Sequence, residues 1–382
     1  MPALKNKTIL ILSPQTWGAM FVSKHHYAVE LAKYGNTVYF LNPPDKSVKE
    51  RILVTPAATV PGLFIISHRL NFPYNIKFHA IGVFHWFMKQ QVKRVLQAIG
   101  KPVDIVWSFD LGNLYPFKLF PKTALRIFHP VDEPLNKTAI DSAKGAQIIF
   151  SVTHEILEKY KSFGLPIQFI NHGVSSIFLQ QQEAPAANHA IGVGFSGNLL
   201  RPDIDRPVFL QIVQENPAIV FECWGSYQLK DANIGGGLDR ETAAFIENLQ
   251  ACQNVVLHGA VAAEELARGY QRMDAFLICY DILKDQSSGT NYHKLMEYLA
   301  SGKVIVSNNV TTYQGRPDLL QMTVERETNK NLPELFKKVI GNLSIYNSPA
   351  LQSSRIDFAN NNVYSHHVET IESCLNKWID HR

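Results

Sequence analysis

Short apolar runs recur along the chain, and most of them are followed by a polar loop and an amphipathic segment. The first two runs are residues 8–13 (TILILS) and 37–41 (TVYFL), and residues 25–34 between them have a helical pattern. A run without polar alternation is typical of a strand buried on both faces, and strands that alternate with helices form parallel sheets. The beginning of the chain therefore predicts a βαβ unit of a doubly wound sheet.

Two such series follow one another. In the first, further strands are predicted at residues 64–67, 105–108, 125–128, 148–151 and 167–170, with one long helix at 76–99 and a shorter one at 155–160. In the second, strands are predicted at residues 191–196, 219–224, 255–258, 275–279 and 304–307, with helices at 264–272, 292–301 and 366–380. The fold class is therefore α/β, with two Rossmann-like domains that we expect to face each other across a cleft.

The segment between the two series differs in composition from both. Residues 175–189 are rich in Gln and Ala and lack apolar periodicity, which is typical of a linker. We predict an N-terminal domain at residues 1–175, a linker at 176–190, a C-terminal domain at 191–360 and a terminal helix within 361–382.

Composition narrows the class of protein. The 382 residues are 46% hydrophobic, which is ample for two cores and too apolar for a disordered chain. The net charge of +4 is spread out, and the absence of a run of five or six Lys or Arg argues against a nucleic-acid-binding arm. A weak positive field suits anionic small molecules such as nucleotide diphosphates, or an anionic membrane face.

The cysteines and the hydropathy pattern bear on the compartment. No two of the four cysteines are close in sequence, and they are Cys223, Cys252, Cys279 and Cys374. This spacing is typical of reduced thiols in the cytosol. There is neither a signal-peptide core nor an apolar window of about 18 residues, so we expect a cytoplasmic protein that meets a membrane only peripherally.

The segment at residues 280–308 (YDILKDQSSGTNYHKLMEYLASGKVIVSN) is rich in candidate binding groups. Its polar loop passes through Gly289 into a helix that ends at Gly302. Amide groups of such a loop and a helix N-terminus form a site for phosphate oxygens, to which Lys294 adds a charge. The carboxylate of Glu297 suits two vicinal hydroxyl groups, as in a ribose. The alternative is a solvated ion pair between Lys294 and Glu297.

The run from Lys294 through Glu297 to Gly302 and on into VIVS resembles the donor-binding motif of GT-B glycosyltransferases, especially the family-four-like enzymes (glycosyl transferases group 1). The resemblance implies a GT-B architecture in which the C-terminal helix crosses back to the N-terminal domain. It also implies that Glu297 binds ribose, that the preceding loop binds diphosphate, and that the anomeric configuration is retained. Many members carry a second Glu where this chain has Gly289, so the sugar contact departs from the family pattern.

Two further loops resemble the same family. For residues 193–204 (VGFSGNLLRPDI), the resemblance implies that Gly197 permits close approach of the donor and that Arg201, or as second choice Arg206, meets the pyrophosphate. The alternative for each arginine is a surface residue that caps a helix. For the loop at His258, the resemblance implies that it frames the nucleotide base. The donor-binding residues predicted in this way are Gly197, Asn198, Arg201, His258, Gly289, Thr290, Asn291, Lys294, Leu295 and Glu297.

The resemblance assigns the acceptor to the N-terminal domain. Gly18, in the first βα loop, and His26 are candidates for an acceptor or phosphate loop, although His26 also suits an ordinary helix position. His129 and Asp132 follow a strand and are the candidate catalytic groups, because an acceptor hydroxyl needs a group that removes its proton. The alternative for Asp132 is a helix cap.

Several classes of function are compatible with these motifs. We expect no metal and no cofactor, since no Asp-x-Asp motif with supporting ligands is present and basic residues offset the charge of the leaving group. The leading hypothesis is sugar transfer from a UDP- or GDP-sugar to a hydroxyl of a saccharide or lipid-linked acceptor, in cell-surface polysaccharide or glycolipid synthesis. A non-catalytic nucleotide-sugar-binding protein and a sugar-nucleotide epimerase stay open. The lack of G-x-G-x-x-G after the first strand argues against a dehydrogenase.

One helix suggests a membrane contact. From Val83 to Ile99, apolar side chains share one face, and Trp86, Lys89 and Lys93 project from the other. Such a basic, aromatic face can rest on anionic lipid at the inner side of the membrane. The alternative is an ordinary amphipathic helix that packs on a core.

Overall fold

The computed structural model describes residues 3–18, 21–179, 190–228 and 239–380. The chain forms two units, one of residues 1–171 with 364–382 (unit 1) and one of residues 172–363 (unit 2). Most of the predicted linker, residues 180–189, lies outside the described residues.

Unit 1 is built on an eight-stranded sheet with the order β3-β4-β2-β1-β5-β6-β7-β8. Its strands are β1 (Thr8–Leu12), β2 (Thr37–Leu41), β3 (Ile52–Pro56), β4 (Leu63–His68), β5 (Ile105–Ser108), β6 (Leu125–Phe128), β7 (Ile148–Ser151) and β8 (Ile167–Phe169). All of the pairings are parallel except that of β3 with β4. Every residue of β1 is buried, as its unbroken apolar run predicts. The edge strand β3 escaped the sequence pattern because its residues are half-buried or exposed.

The helices of unit 1 cover both faces of this sheet. They are α1 (Ser23–Lys33), α2 (Ile76–His79), α3 (Ile81–Ile99), α4 (Lys137–Asp141) and α5 (His154–Glu158), together with a C-terminal helix described below. The prediction of one helix at 76–99 is wrong, because Ala80 leaves the helical region with φ −144° and ψ 70°. The buried stripe of α3 runs through Phe84, Met88 and Val92. If one helix continued through Ala80 toward the N-terminus, Lys77, seven residues before Phe84, would lie on this buried stripe. The helical segment before Ala80 therefore buries none of its side chains.

Unit 2 is built on a six-stranded parallel sheet with the order β11-β10-β9-β12-β13-β14. Its strands are β9 (Gly192–Ser196), β10 (Val220–Trp224), β11 (Val255–Gly259), β12 (Ala275–Ile278), β13 (Val304–Ser307) and β14 (Gln321–Met322). Its helices are α6 (Arg206–Glu215), α7 (Arg240–Ala251), α8 (Ala263–Gln271), α9 (Lys294–Ala300), α10 (Leu332–Ile340), α11 (Leu343–Tyr346) and α12 (Pro349–Asn360). The helices α10 to α12 and the two-residue strand β14 were not predicted.

The C-terminal helix α13 (Tyr364–Asp380) belongs to unit 1. It packs on α1 and buries Val368, Ile371 and Leu375 in the unit 1 core. Its Glu372 accepts hydrogen bonds from the Leu4 amide at 3.1 Å and from the Tyr34 hydroxyl at 2.5 Å. The predicted return of this helix and the predicted pair of Rossmann-like domains are therefore confirmed. Among the described residues, no helix has both the length and the hydrophobicity that a membrane crossing requires.

Candidate functional site

Glycines stand at the carboxyl ends of three neighbouring strands of unit 2. Gly197 and Gly225 follow β9 and β10, Gly259 ends β11, and all three have positive φ angles (+156°, +124° and +75°). The Gly197 amide donates to the Trp224 carbonyl and the Gly225 amide donates to the Gly259 carbonyl, both at 2.8 Å. A Cβ at Gly225 would lie 2.0 Å from the Gly197 carbonyl oxygen, so this edge of the sheet has room for backbone only. Ligands of parallel sheets bind at such carboxyl ends.

Lys294 is the first residue of α9 and lies buried beside these glycines. Its ammonium donates to the Ser196 carbonyl oxygen at 2.5 Å and to the Tyr280 hydroxyl. Two of its three N–H bonds are thus used, and the third has no partner among the described residues. Burial lowers the pKa of Lys294 to about 8, and Asp203 and Glu297 oppose that shift, so the side chain is mainly charged at neutral pH. A Cβ at Gly197 would lie 2.7 Å from the Lys294 Nζ atom.

Glu297 lies three residues after Lys294 on α9, and its side chain is only half-buried. Its Oε2 atom accepts a hydrogen bond from the Tyr270 hydroxyl at 3.3 Å, and the same hydroxyl lies 2.6 Å from the Ser196 Oγ atom. Burial raises the pKa of Glu297 to about 7, while the charge of Lys294 and the Tyr270 hydrogen bond lower it. The solvated ion pair that the sequence left open does not form, since neither side chain takes part in a salt bridge among the described residues.

The loop before α9 is organised by Asp285, which sequence reasoning missed. This buried carboxylate accepts hydrogen bonds from the Ser287 amide, the Ser287 hydroxyl, the Gly289 amide and the Tyr292 hydroxyl at 2.6–3.0 Å. The amides of Ser288 and Thr290 donate to backbone carbonyls of the same loop. The amide groups of residues 288–290 are therefore committed within the loop, contrary to the prediction that they are open to phosphate. An Asp two residues before Ser-Ser-Gly is typical of such a turn, so the signal was present.

Gly289 stands where many enzymes with this motif carry a glutamate. Its φ is +66°, and a Cβ there would lie 3.0 Å from the Asn309 carbonyl oxygen. A carboxylate side chain at this position would be strained and crowded, so the loop geometry and the absence of that glutamate agree. Its neighbours in the motif are buried, and they are Thr290, Asn291 and Leu295.

The basic residues of the first unit 2 loop are paired within the unit. The Arg201 guanidinium binds the Asp203 carboxylate through two Nε contacts of 2.9 Å and a third from Nη2, which raises the pKa of Arg201. Arg206 donates to the Arg201 carbonyl and the Thr242 hydroxyl. Asn198 accepts from the Leu200 amide at 3.0 Å. The pyrophosphate contact of Arg201 or Arg206 stays a prediction.

His258 lies on the surface at the end of β11. Its ring stacks on Trp224, with centroids 5.0 Å apart and planes 9° apart, and its Nε2 atom lies 3.0 Å from the Glu222 Oε2 atom. The Trp224 ring itself is buried, as expected of a core residue. The surface ring of His258 is thus held flat on the buried Trp224 ring, and the predicted contact of the His258 loop with a nucleotide base stays a prediction.

His129 in unit 1 is completely buried at the end of β6. Its ring packs against Phe109, Trp107 and Tyr27, and neither ring nitrogen has a hydrogen-bond partner in the described part of the chain. Burial, with the charge of Lys24 and the proximity of His367, lowers the pKa of His129 to about 3, so the ring is neutral. This placement favours a packing role over the predicted catalytic one, because an acid or base must reach its reactant.

Asp132 is exposed, unlike His129, and has a cationic neighbour that sequence reasoning missed. Lys24 is almost completely buried at the start of α1, and burial lowers its pKa while the charges of Asp132 and Asp110 raise it. Asp110 follows β5, so these three groups gather at the carboxyl edge of the unit 1 sheet. Lys24 lies in the Ser23–Tyr27 run that opens α1, but nothing in the sequence indicated its burial.

The remaining predicted residues of unit 1 are Gly18 and His26. A Cβ at Gly18 would meet no atom within 4 Å, so sterics do not require glycine there. The His26 ring stacks on Tyr364, with centroids 4.6 Å apart, as an ordinary helix residue would. In the part of the chain that the structure describes, no three His, Cys, Asp or Glu side chains are arranged to hold a metal ion.

Solved structures with the same architecture align with nearly the whole chain. Sucrose-phosphate synthase from Thermosynechococcus elongatus matches with a TM-score of 0.74 at 10% identity, over 99% of this chain and 100% of that one. The α,α-trehalose 6-phosphate synthase from Burkholderia multivorans gives 0.68 at 11%, over 98% and 97%. Anabaena HepE, in complex with UDP and glucose, gives 0.63 at 14%, over 96% and 99%. The predicted GT-B fold is thereby confirmed, whereas no protein-family model and no curated protein matches the sequence.

Proposed function

We propose that the chain is a glycosyltransferase, in which unit 2 binds a nucleotide-diphosphate sugar and unit 1 binds the acceptor whose hydroxyl group receives the sugar. The observation that carries the proposal is the grouping of Lys294, Glu297 and the glycines Gly197 and Gly225 at one sheet edge. A cation suits a diphosphate, a carboxylate suits a ribose, and a partly exposed main chain without side chains lets a ligand approach closely. The shared fold with HepE, whose structure holds UDP and glucose, supports the same reading.

Each group has a distinct role in this proposal. Glu297, partly exposed, accepts hydrogen bonds from the ribose hydroxyls, and the remaining N–H bond of Lys294 meets a diphosphate oxygen. The charge of Lys294 then stabilises the nucleotide as it leaves, without requiring a metal ion. The surface ring of His258, held flat by Trp224, suits the face of a base, and UDP- and GDP-sugars are the donors to test first.

On the acceptor side, Asp132 is the better candidate for the group that takes the proton, because it is exposed and His129 is not. Transfer with retention of the anomeric configuration rests on the resemblance of the motif at Lys294–Gly302. We further propose a role in polysaccharide or glycolipid assembly on the cytoplasmic side of a membrane. The helix α3 supports it, since Trp86, Lys89 and Lys93 lie on the exposed face of α3.

A donor screen by thermal unfolding tests the proposal. A ligand present at about 100 times its Kd adds roughly 2.7 kcal/mol to the free energy of unfolding. We expect a UDP- or GDP-sugar to raise the Tm, and Glu297→Ala to remove most of that shift. Glu265→Ala, which alters an exposed carboxylate on α8, is the matched control and should keep it.

Turnover is then followed as release of the nucleotide diphosphate with candidate acceptors. The absence of a Tm shift with any UDP-, GDP-, ADP- or TDP-sugar would refute donor binding. A donor that binds and is neither transferred nor hydrolysed would instead identify a nucleotide-sugar-binding protein.

A further inference from the structure

Unit 1 contains a cavity of about 600 Å³ at the carboxyl edge of its sheet. Its walls come from the ends of β1, β2, β4 and β5 and the segments that follow them. Ten of its sixteen lining residues are Leu, Pro, Phe or Tyr, and they are Leu12, Pro14, Pro43, Pro44, Leu70, Phe72, Pro73, Tyr74, Leu114 and Tyr115. A cavity of this size and composition, with few polar groups, is typical of a site for a largely apolar ligand.

The cavity also reaches the polar groups of the acceptor side. Asp110 lines it and, with Asp132, raises the pKa of Lys24. An apolar ligand in the cavity would thus lie beside Asp110, whose neighbour Lys24 also interacts with Asp132, the carboxylate that we assign to proton removal.

An exposed apolar surface adjoins this cavity. We call Tyr74, Phe78, Ile81, Val83 and Trp86 the aromatic surface; Phe78 is 72% exposed and Trp86 is 58% exposed. They account for five of the thirteen large hydrophobic side chains exposed in the described residues. Tyr74 and Phe78 are in ring contact, with centroids 6.0 Å apart, and a concentration of exposed apolar side chains on neighbouring elements is typical of a membrane or partner contact.

The aromatic surface and the cavity are continuous through shared residues. Tyr74 belongs to both, and Phe72 of the cavity wall stacks on Phe87 of α3 with ring centroids 4.8 Å apart. Lys77 donates to the Gly112 carbonyl at 2.5 Å and to the Tyr74 hydroxyl at 3.2 Å, which ties α2 to the cavity rim.

The charge of this region selects one class of partner. The helices α2 and α3 contain no Asp or Glu, and they contain four cationic residues, Lys77, Lys89, Lys93 and Arg94. Aromatic side chains on cationic helices without carboxylates suit the headgroup region of an anionic bilayer, and the carboxylates nearby, Asp45 and Asp110, line the adjoining cavity. A partner protein with a neutral surface would not account for this excess of cationic over acidic side chains.

We infer that the acceptor is a lipid-linked saccharide taken from an anionic membrane, on which the aromatic surface rests while the first carbons of the lipid chain occupy the cavity. The inference rests on the proposed glycosyl transfer and narrows its acceptor. A free saccharide would leave the apolar walls of the cavity without a matching ligand.

Flotation with vesicles tests the surface. We expect the full chain to bind vesicles of phosphatidylcholine with 30% phosphatidylglycerol at least fivefold better than phosphatidylcholine alone. The double variant Phe78→Ser/Trp86→Ser should lose at least tenfold of that binding. Val324→Ser/Ile345→Ser removes side chains that are equally apolar and 95% and 63% exposed elsewhere, and should bind as the wild type does.

Calorimetric titration with farnesyl phosphate, below its micellar concentration, tests the cavity. Leu114→Trp fills the cavity and should weaken binding at least tenfold, whereas Leu114→Ala leaves it open and should change binding less than threefold. Leu70→Trp is a second filling variant, and an unfolding transition of unit 1 at the wild-type temperature, followed by calorimetry, checks that each variant is folded. Inorganic phosphate should not bind measurably at the same concentrations.

The outcomes separate this inference from the proposed function. A chain that binds a nucleotide sugar but neither vesicles nor farnesyl phosphate keeps the proposed function and overturns the inference. Equal affinity of wild type and both filling variants for farnesyl phosphate also overturns it. If the chain binds both lipid probes but no nucleotide sugar, the lipid site is supported and the proposed glycosyl transfer is wrong.

Discussion

The two residues that define the motif, Lys294 and Glu297, have pKa values displaced toward each other by burial, to about 8 and about 7. The Lys294 ammonium donates to the carbonyl oxygen of Ser196 at the end of β9, and Glu297 accepts from the Tyr270 hydroxyl of α8, which also bonds Ser196. The sequence identifies the pair, but the displacement of the two pKa values comes from burial, which depends on how distant segments of the chain pack around them. Both groups therefore titrate within about one unit of neutrality, where small changes of pH alter ligand binding.

Donor affinity should rise between pH 6 and pH 7.5. Only ionised Glu297 accepts hydrogen bonds from two hydroxyls, and with a pKa of about 7 most of it is protonated at pH 6. We expect Kd for the nucleotide sugar to fall about fivefold over this interval, and Glu297→Gln to bind weakly with no such change. The measurement is calorimetric titration with an intact nucleotide sugar, whose doubly esterified diphosphate does not titrate there.

The interval stops at pH 7.5 because Lys294, with its pKa of about 8, begins to lose its charge above it. The same raised pKa has a consequence for stability, because protonated Glu297 costs less to bury than the carboxylate. Its contribution to the free energy of unfolding is therefore complete below pH 4.5 and is lost as pH rises through 7. A wild-type Kd that is independent of pH would contradict the assignment of Glu297 to the ribose.

At the scale of elements, the main chains at the strand ends of unit 2 are in direct contact, without side chains between them. Gly225→Ala should cost about 3 kcal/mol or more, because its Cβ would lie 2.0 Å from a main-chain oxygen that cannot move aside. Gly259→Ala, with φ +75° but no atom closer than 3.7 Å to the new Cβ, should cost about 1–2 kcal/mol. Equilibrium unfolding in urea gives both values.

Gly18→Ala is the control for this series, since it has neither a positive φ nor a neighbour within 4 Å, and it should change stability by less than about 0.5 kcal/mol. An equal loss of stability in Gly18→Ala and Gly225→Ala would show that the strand ends pack less tightly than the 2.0 Å distance at Gly225 requires.

Elements were predictable where one local signal dominated. The unbroken apolar runs located β1, β2 and β9, because strands buried on both faces tolerate no polar alternation. The break at Ala80 was not predictable from propensity, since alanine is a strong helix former; it follows from where the buried stripe of α3 stops. The roles of Asp285 and Lys24 depend on loop closure and on contacts between distant segments, which periodicity does not report.

At the scale of the molecule, unit 1 is assembled from two segments of chain, because α13 contributes Val368, Ile371 and Leu375 to its core. Ile371→Ala should destabilise unit 1 by about 2–5 kcal/mol through the lost burial and the resulting void. Donor affinity should not change, since residues 172–363 supply all of unit 2.

Calorimetry of unfolding and titration with the nucleotide sugar check this pair of expectations. Ile379→Ala, on the exposed face of the same helix, serves as the control and should cost less than about 0.5 kcal/mol. A weakened donor Kd in Ile371→Ala would mean that α13 supports the donor site as well.

Because unit 1 is built from two separate segments of the chain, the two units can fold at different times during synthesis on the ribosome. Residues 172–363 leave the exit tunnel as one continuous stretch, so unit 2 can complete its sheet while unit 1 still lacks α13. Until then the apolar groove that receives Val368, Ile371 and Leu375 stays uncovered on the nascent chain. A chaperone that binds exposed apolar segments would therefore find its target in unit 1, and a stop codon shortly before Tyr364 would yield a chain whose second unit is intact and whose first unit cannot close.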